Sequence, residues 1–198
     1  DPKAALRHVK TFADRPGVVG FMVTAARYKP VHDNAYMEVY KAIEETGKPL
    51  AFHASAYSHE RMFEGMNKFL SVHALGFMFY NQVHLTNMVI NGIPERFPGL
   101  NIIWMESGLA WVPALMQRLD NEYMMRTSEA PLLKMKPSEY MNTRFWYTTQ
   151  PMETGKRVDM FPLQESSGFA LDLAQYAEFI RTRGTRVAVL CNPNNPDG

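Results

Sequence analysis

His53 closes the apolar run PLAFHAS, Pro49 to Ser55, and it is the side chain in this sequence best placed to do chemistry. A short, apolar, β-rich run forms a buried strand. Polar side chains at the C-terminal ends of parallel strands converge on one point. A neutral imidazole at such a point is a good ligand for zinc and similar divalent ions, and a metal held there can make a hydroxide from water near neutral pH. The alternative is a buried histidine hydrogen-bonded to a neighbouring carbonyl. A second candidate lies at the far end, in CNPNNPDG, Cys191 to Gly198. There Asn-Pro and Pro-Asp-Gly favour a turn after a strand, and the Asn195 amide can donate or accept at a fixed angle. The alternative at that end is a plain terminal turn.

The remaining candidates are weaker. His59-Glu60 begins like the His-Glu-x-x-His zinc pattern, but Phe63 stands where the second histidine belongs. His73 and His84, about three helical turns apart, read as packing residues on one face. His8 and His32 sit in polar surroundings and read as solvated. Arg118 and Asp120 read as exposed or interface ion pairs.

The elements that must position these residues alternate between strand and helix. GVVGFMVT, Gly17 to Thr24, predicts a buried strand. Asn34 is expected to cap a helix carrying Tyr36, Val39, Tyr40 and Ile43, which Gly47 stops. Pro49 to Ala54 is the His53 strand. Arg61 to Asn91 predicts one broken or two successive helices, ended by Asn91-Gly92 and Pro94. LNIIWME, Leu100 to Glu106, is a third strand. Val112, Leu115, Met116 and Leu119 form the stripe of the next helix, with Pro113 in its first turn. Ser128 to Pro137 reads as a surface loop and Arg144 to Thr148 as a fourth strand. The texture changes near Met152 to Gly155. Beyond that point Asp172 caps a short helix, and Arg186 to Cys191 is a last strand. This alternation implies right-handed crossovers and a parallel sheet, hence an α/β fold.

Composition sets the outer limits. The chain has 198 residues, enough for one domain or two small ones. Twenty-one basic residues against 20 acidic ones leave no large positive field, which argues against nucleic acid as a partner. The single cysteine excludes an intrachain disulfide and a cysteine zinc cluster, and it makes a reducing, cytoplasmic setting the default expectation. No apolar stretch approaches the roughly 20 residues of a membrane span. The 14 methionines are scattered, as core fillers are. Starting on Asp1, the chain reads as a joined or truncated object.

Beyond the residues taken singly, Gly17 to Glu153 resembles the amidohydrolase-related family of metal-dependent β/α barrels, which includes decarboxylases such as aminocarboxymuconate semialdehyde decarboxylase. The resemblance rests on PLAFHAS, on NGIPERFPGLNIIWMESGLAWVPALMQRLD from Asn91 to Asp120, and on FWYTTQPME from Phe145 to Glu153. It implies a partial TIM-type (β/α) barrel over residues 1–154 and a metal-dependent hydrolase or decarboxylase of a small organic acid. His53 would be the metal ligand of the family's fifth strand. Many members place a histidine at the end of the sixth strand, where this chain has Glu106 followed by Ser107. A carboxylate there can ligate the metal or act as general base, or it can serve only as a loop cap or salt bridge. The metal implied is divalent, zinc first. The family's paired histidines of the first strand and aspartate of the eighth have no counterpart in the sequence. Four strands are half of a closed barrel, so an oligomer or a barrel-completing partner chain is expected, and a non-catalytic partner-binding module is a further possibility.

Residues 155–198 resemble a different family, the fold-type I pyridoxal-phosphate aminotransferases related to histidinol-phosphate aminotransferase. GFALDLAQYAEFI, Gly168 to Ile180, and TRVAVLCNPNNPDG, Thr185 to Gly198, carry that likeness. It implies a short α/β segment of different origin in which Asn195 would reach the ring hydroxyl of pyridoxal phosphate. Asp197 stands where Thr or Ser is more usual. The Schiff-base lysine and its companions would lie beyond Gly198.

Overall fold

Four stretches rich in β-branched and aromatic residues pair into one parallel sheet in a computed structural model of the chain. The structure describes residues 1–24, 29–53, 61–148 and 172–183. In chain order the elements are α1 (Pro2–Phe12), β1 (Phe21–Thr24), α2 (Met37–Glu45), β2 (Leu50–His53), α3 (Phe69–Ile90), α4 (Ile93–Arg96), β3 (Ile102–Met105), α5 (Trp111–Met125), α6 (Pro137–Thr143), β4 (Phe145–Tyr147) and α7 (Leu173–Arg183). The sheet order is β1-β2-β3-β4, all parallel. The chain divides into two compact units, Asp1–Thr154 and Gly155–Gly198. The sheet lies in the first unit and α7 in the second.

Register follows from side-chain alternation. Phe21, Leu50, Ile102 and Phe145 form one level row, and Val23, Phe52, Trp104 and Tyr147 another. Both rows point to the face that the helices cover, where Phe52 stacks on Trp104 at 4.8 Å and Trp104 is fully buried. The intervening row, Met22, Ala51, Ile103 and Trp146, points to the opposite face. At its two ends Met22 is 60% and Trp146 50% exposed.

Several boundaries differ from expectation. Within the described residues the strands are three or four residues long. Asp33, not Asn34, caps the second helical segment: its Oδ1 accepts from Ala35 N at 2.8 Å, and a 3₁₀ turn over Asn34–Tyr36 precedes α2. Arg61 to Asn91, expected as one broken or two successive helices, holds a 3₁₀ turn over Arg61–Phe63 and then α3, 22 residues without a break. Its Leu85, Met88 and Val89 are fully buried, at roughly 2 kcal/mol each. Ser128 to Pro137 is not a bare surface loop, since Ala130 and Leu133 are buried in the core. Tyr140 Oη pins that stretch by accepting from Lys134 N at 2.9 Å and donating to Glu95 Oε1 at 2.5 Å. Helix α6 then starts at Pro137, where Asp120 accepts from both Ser138 N and Ser138 Oγ. In the second unit, Asp172 caps α7 as the sequence predicts, accepting from Ala174 N and Gln175 N. The expected strand Arg186 to Cys191 lies outside the described residues. Among the described residues, no helix is long and apolar enough to cross a membrane.

Gly92 ends α3 in the left-handed region, φ 67°, and a Cβ there would come within 2.5 Å of Leu132 Cβ. Gly92→Ala therefore meets both backbone strain and a clash, and is expected to lower unfolding free energy by roughly 2–3 kcal/mol. Denaturant melts check this; an unchanged midpoint contradicts it.

His84, 6% exposed against Phe52 and Tyr80, titrates near 4 because burial disfavours its charged form. The unfolded chain takes up this proton as pH falls through about 6.5 and the folded chain only near 4, so stability is full above that window and declines through it, by about 3 kcal/mol in all. Urea unfolding across the window should show this loss in the wild type and a flatter profile in His84→Asn. Equal pH profiles would remove His84 as its source.

Candidate functional site

The level register puts the C-terminal ends of the strands side by side, with Thr24 opposite His53 and His53 opposite Met105. One residue beyond Met105, Glu106 turns back across the sheet edge. Its Oε2 lies 2.5 Å from His53 Nε2, and the two side chains are 39% and 31% exposed. The two residues read from sequence as site candidates thus meet at the ends of the paired strands β2 and β3. A contact that short between nitrogen and oxygen requires a shared proton, either on the imidazole or on the carboxyl.

Backbone geometry brings Glu106 there. Its φ is 54°, and it is the one non-glycine residue with positive φ among the described residues. A left-handed glutamate costs about 1–3 kcal/mol, whereas a half-exposed ion pair returns about 0–1 kcal/mol. Stability alone does not account for the arrangement. The strain is held by neighbours: Glu106 N donates to Thr148 Oγ1 at 2.9 Å, and Thr148 N donates to Trp104 O at 3.0 Å. Asn81, fully buried on α3, donates from Nδ2 to Met105 O at 3.0 Å and to Ser107 Oγ at 2.9 Å. Trp111 Nε1 donates to Ser107 O at 2.7 Å. Phe77 of α3 meets the His53 ring edge-on at 6.3 Å, with His73 packed on Phe77 at 4.9 Å.

Imidazole nitrogen and carboxylate oxygen are a donor pair suited to a divalent cation. Among the described residues no group of three or more His, Cys, Asp or Glu comes together, so the pair supplies two ligands where a catalytic site ordinarily takes about three.

The other sequence candidates fall elsewhere. His84 is a core residue, as its packing role implies, and His8 is exposed against Phe12. His32 departs from expectation: it is half-buried, with Nδ1 enclosed. Arg118 pairs with Glu122, whereas Asp120 caps α6 instead of forming an ion pair. His59-Glu60 and Asn195 lie outside the described residues. Asn81 and Thr148 were missed by sequence reasoning. An asparagine on the buried stripe of an otherwise apolar helix was the available signal for the first; Thr148 gave none beyond its place at a strand end.

Because Glu106 carries the strain, its substitutions should rank against the usual order. Glu106→Gly and Glu106→Ala both lose the carboxylate, but only glycine relieves the left-handed φ, so Glu106→Gly is expected to be the more stable by about 1 kcal/mol. Paired chemical melts decide it; alanine being the more stable would mean that the strain is not there.

A family model described as Amidohydrolase matches residues 1–186. Among solved structures, the chain is similar to 5-carboxyvanillate decarboxylase from Sphingomonas paucimobilis, at 28% identity and TM-score 0.61 over 75% of this chain and 45% of that one. It is similar to the 5-carboxyvanillate decarboxylase from Novosphingobium aromaticivorans complexed with manganese and 4-hydroxy-3-methoxy-5-nitrobenzoic acid, at 19% identity and TM-score 0.61 over 75% and 44%. A third is 2,6-dihydroxybenzoate decarboxylase from Rhizobium, at 22% identity and TM-score 0.57 over 75% and 49%. The chain spans under half the length of each of these relatives. No curated protein matches it. The four-stranded parallel sheet with its alternating helices is thus a partial TIM-type barrel. The pyridoxal-phosphate resemblance of residues 155–198 finds no support: the family match continues through most of that stretch, and Asn195 lies beyond it.

Proposed function

This chain belongs to the amidohydrolase family, and from that premise we propose that it supplies one side of a metal-dependent active site that hydrolyses or decarboxylates a small organic acid. The carrying observation is the 2.5 Å contact between His53 Nε2 and Glu106 Oε2 at the strand-end edge of the sheet. The decarboxylase relatives favour an acid as substrate, and the manganese in one of them favours a divalent metal. Zinc suits the imidazole equally well.

In this reading His53 is a metal ligand, and Glu106 is either a second ligand or the general base. These residues would hold a divalent cation, whose contribution when bound would be to polarise a carboxylate or carbonyl oxygen of the substrate. The chain's own residues do the rest. As general base, Glu106 can accept a proton from the substrate or an attacking water and hold it beside the reacting atoms. Phe77 fixes the edge of the imidazole. The remaining ligands come from a barrel-completing segment or partner chain facing the sheet row whose two ends, Met22 and Trp146, are exposed. The single cysteine fits a reducing, cytoplasmic setting.

Protons compete with a metal ion for the imidazole nitrogen and the carboxylate, so affinity is expected to rise with pH, with proton release on binding wherever either side chain is protonated. Calorimetric titration of the chain with Zn²⁺ and Mn²⁺ in buffers of different ionisation enthalpy measures both quantities. His53→Ala is expected to abolish binding, and Glu106→Gln to weaken it about tenfold or more. Equal metal content in the wild type and His53→Ala takes His53 out of the site.

A further inference from the structure

The turn that carries Glu106 is gripped on both flanks by one side chain. Asn81 Nδ2 donates to Met105 O on one side of Glu106 and to Ser107 Oγ on the other, at 3.0 and 2.9 Å, from a position with no solvent exposure. We propose that Asn81 is a positioning residue, fixing the Met105–Ser107 turn from α3 so that Glu106 stays left-handed and presents its carboxylate to His53. The inference rests on His53 and Glu106 being the site.

Three observations support this over a plain helix-to-sheet clamp. Asn81 sits in a buried stripe whose neighbours, Leu85, Met88 and Val89, hold α3 against the sheet by apolar packing alone. Its Oδ1 is buried with no hydrogen-bond partner among the described residues. An apolar side chain would avoid that cost, so the amide is explained by what its Nδ2 holds. The grip also falls at the strained position itself, the residue with φ 54°. Thr148 Oγ1, just past β4, accepts from Glu106 N and Trp111 Nε1 donates to Ser107 O, so three consecutive residues are held from three places in the chain, and Asn81 is the one of these three holders that bridges both flanks.

The test compares the His53 ring signals by NMR, at one fixed pH, in the wild-type chain, Asn81→Leu, Glu106→Gln, and Val89→Ala as a core variant of the same helix. The expected result is that Asn81→Leu moves the His53 ring signals most of the way to their positions in Glu106→Gln, while Val89→Ala leaves them in place. Zn²⁺ affinity should fall in parallel, about tenfold in Asn81→Leu. A folded Asn81→Leu with wild-type His53 signals overturns the proposal. If Asn81→Leu does not fold, Asn81→Ser, which keeps a donor but cannot span both acceptors, is read by the same criterion. A wild-type chain that binds no metal would remove the metal reading while leaving the ring signals to decide on Asn81.

Discussion

The level, parallel pairing of β2 with β3 is the constraint on which the site depends. It is set by the core: Phe52 and Trp104 sit opposite each other, stacked and buried, and they cannot slip by one residue without turning to the other face. Burying two aromatic side chains is worth several times more than an exposed ion pair. His53 and Glu106 are therefore carried into contact by packing energy spent elsewhere in the sheet. The pair does not create the fold; the fold imposes the pair.

The same alternation explains the two unlike faces of the sheet. One face lies under helices and includes the fully buried Trp104. The other, in the first unit, ends in a half-exposed Met22 and Trp146. In relatives about twice as long, four strands are half of a barrel whose inner face is filled by side chains from all around it. A face of this composition, with a His-Glu pair at its strand ends, fits one side of such a barrel.

Much of this was legible in the sequence. The apolar runs ending in His53 and Glu106 announced strands, and strand ends announced the site. The strand limits were not legible, since Gly17 to Gly20 reads as apolar but has no strand partner in the sheet. The start of α3 was not legible either: Arg61 to Asn91 reads as one apolar, Met-rich stretch, whereas a 3₁₀ turn over Arg61–Phe63 precedes a helix that begins only at Phe69. Polar and proline content made Ser128 to Pro137 look like a loop, which hid the buried Ala130 and Leu133. The left-handed Glu106 could not be read at all. Glutamate has no preference for that region, and only the tertiary grip of Asn81 and Thr148 puts it there.

In the function proposed above, the strand-end pair of His53 and Glu106 forms a metal-binding half-site. Anomalous diffraction at the manganese and zinc edges, from crystals of the chain soaked in each ion, tests it most directly. One dominant peak is expected in bonding contact with His53 Nε2 and a Glu106 carboxylate oxygen. A dominant peak elsewhere, or His53 and Glu106 still in direct contact with no peak between them, would contradict it.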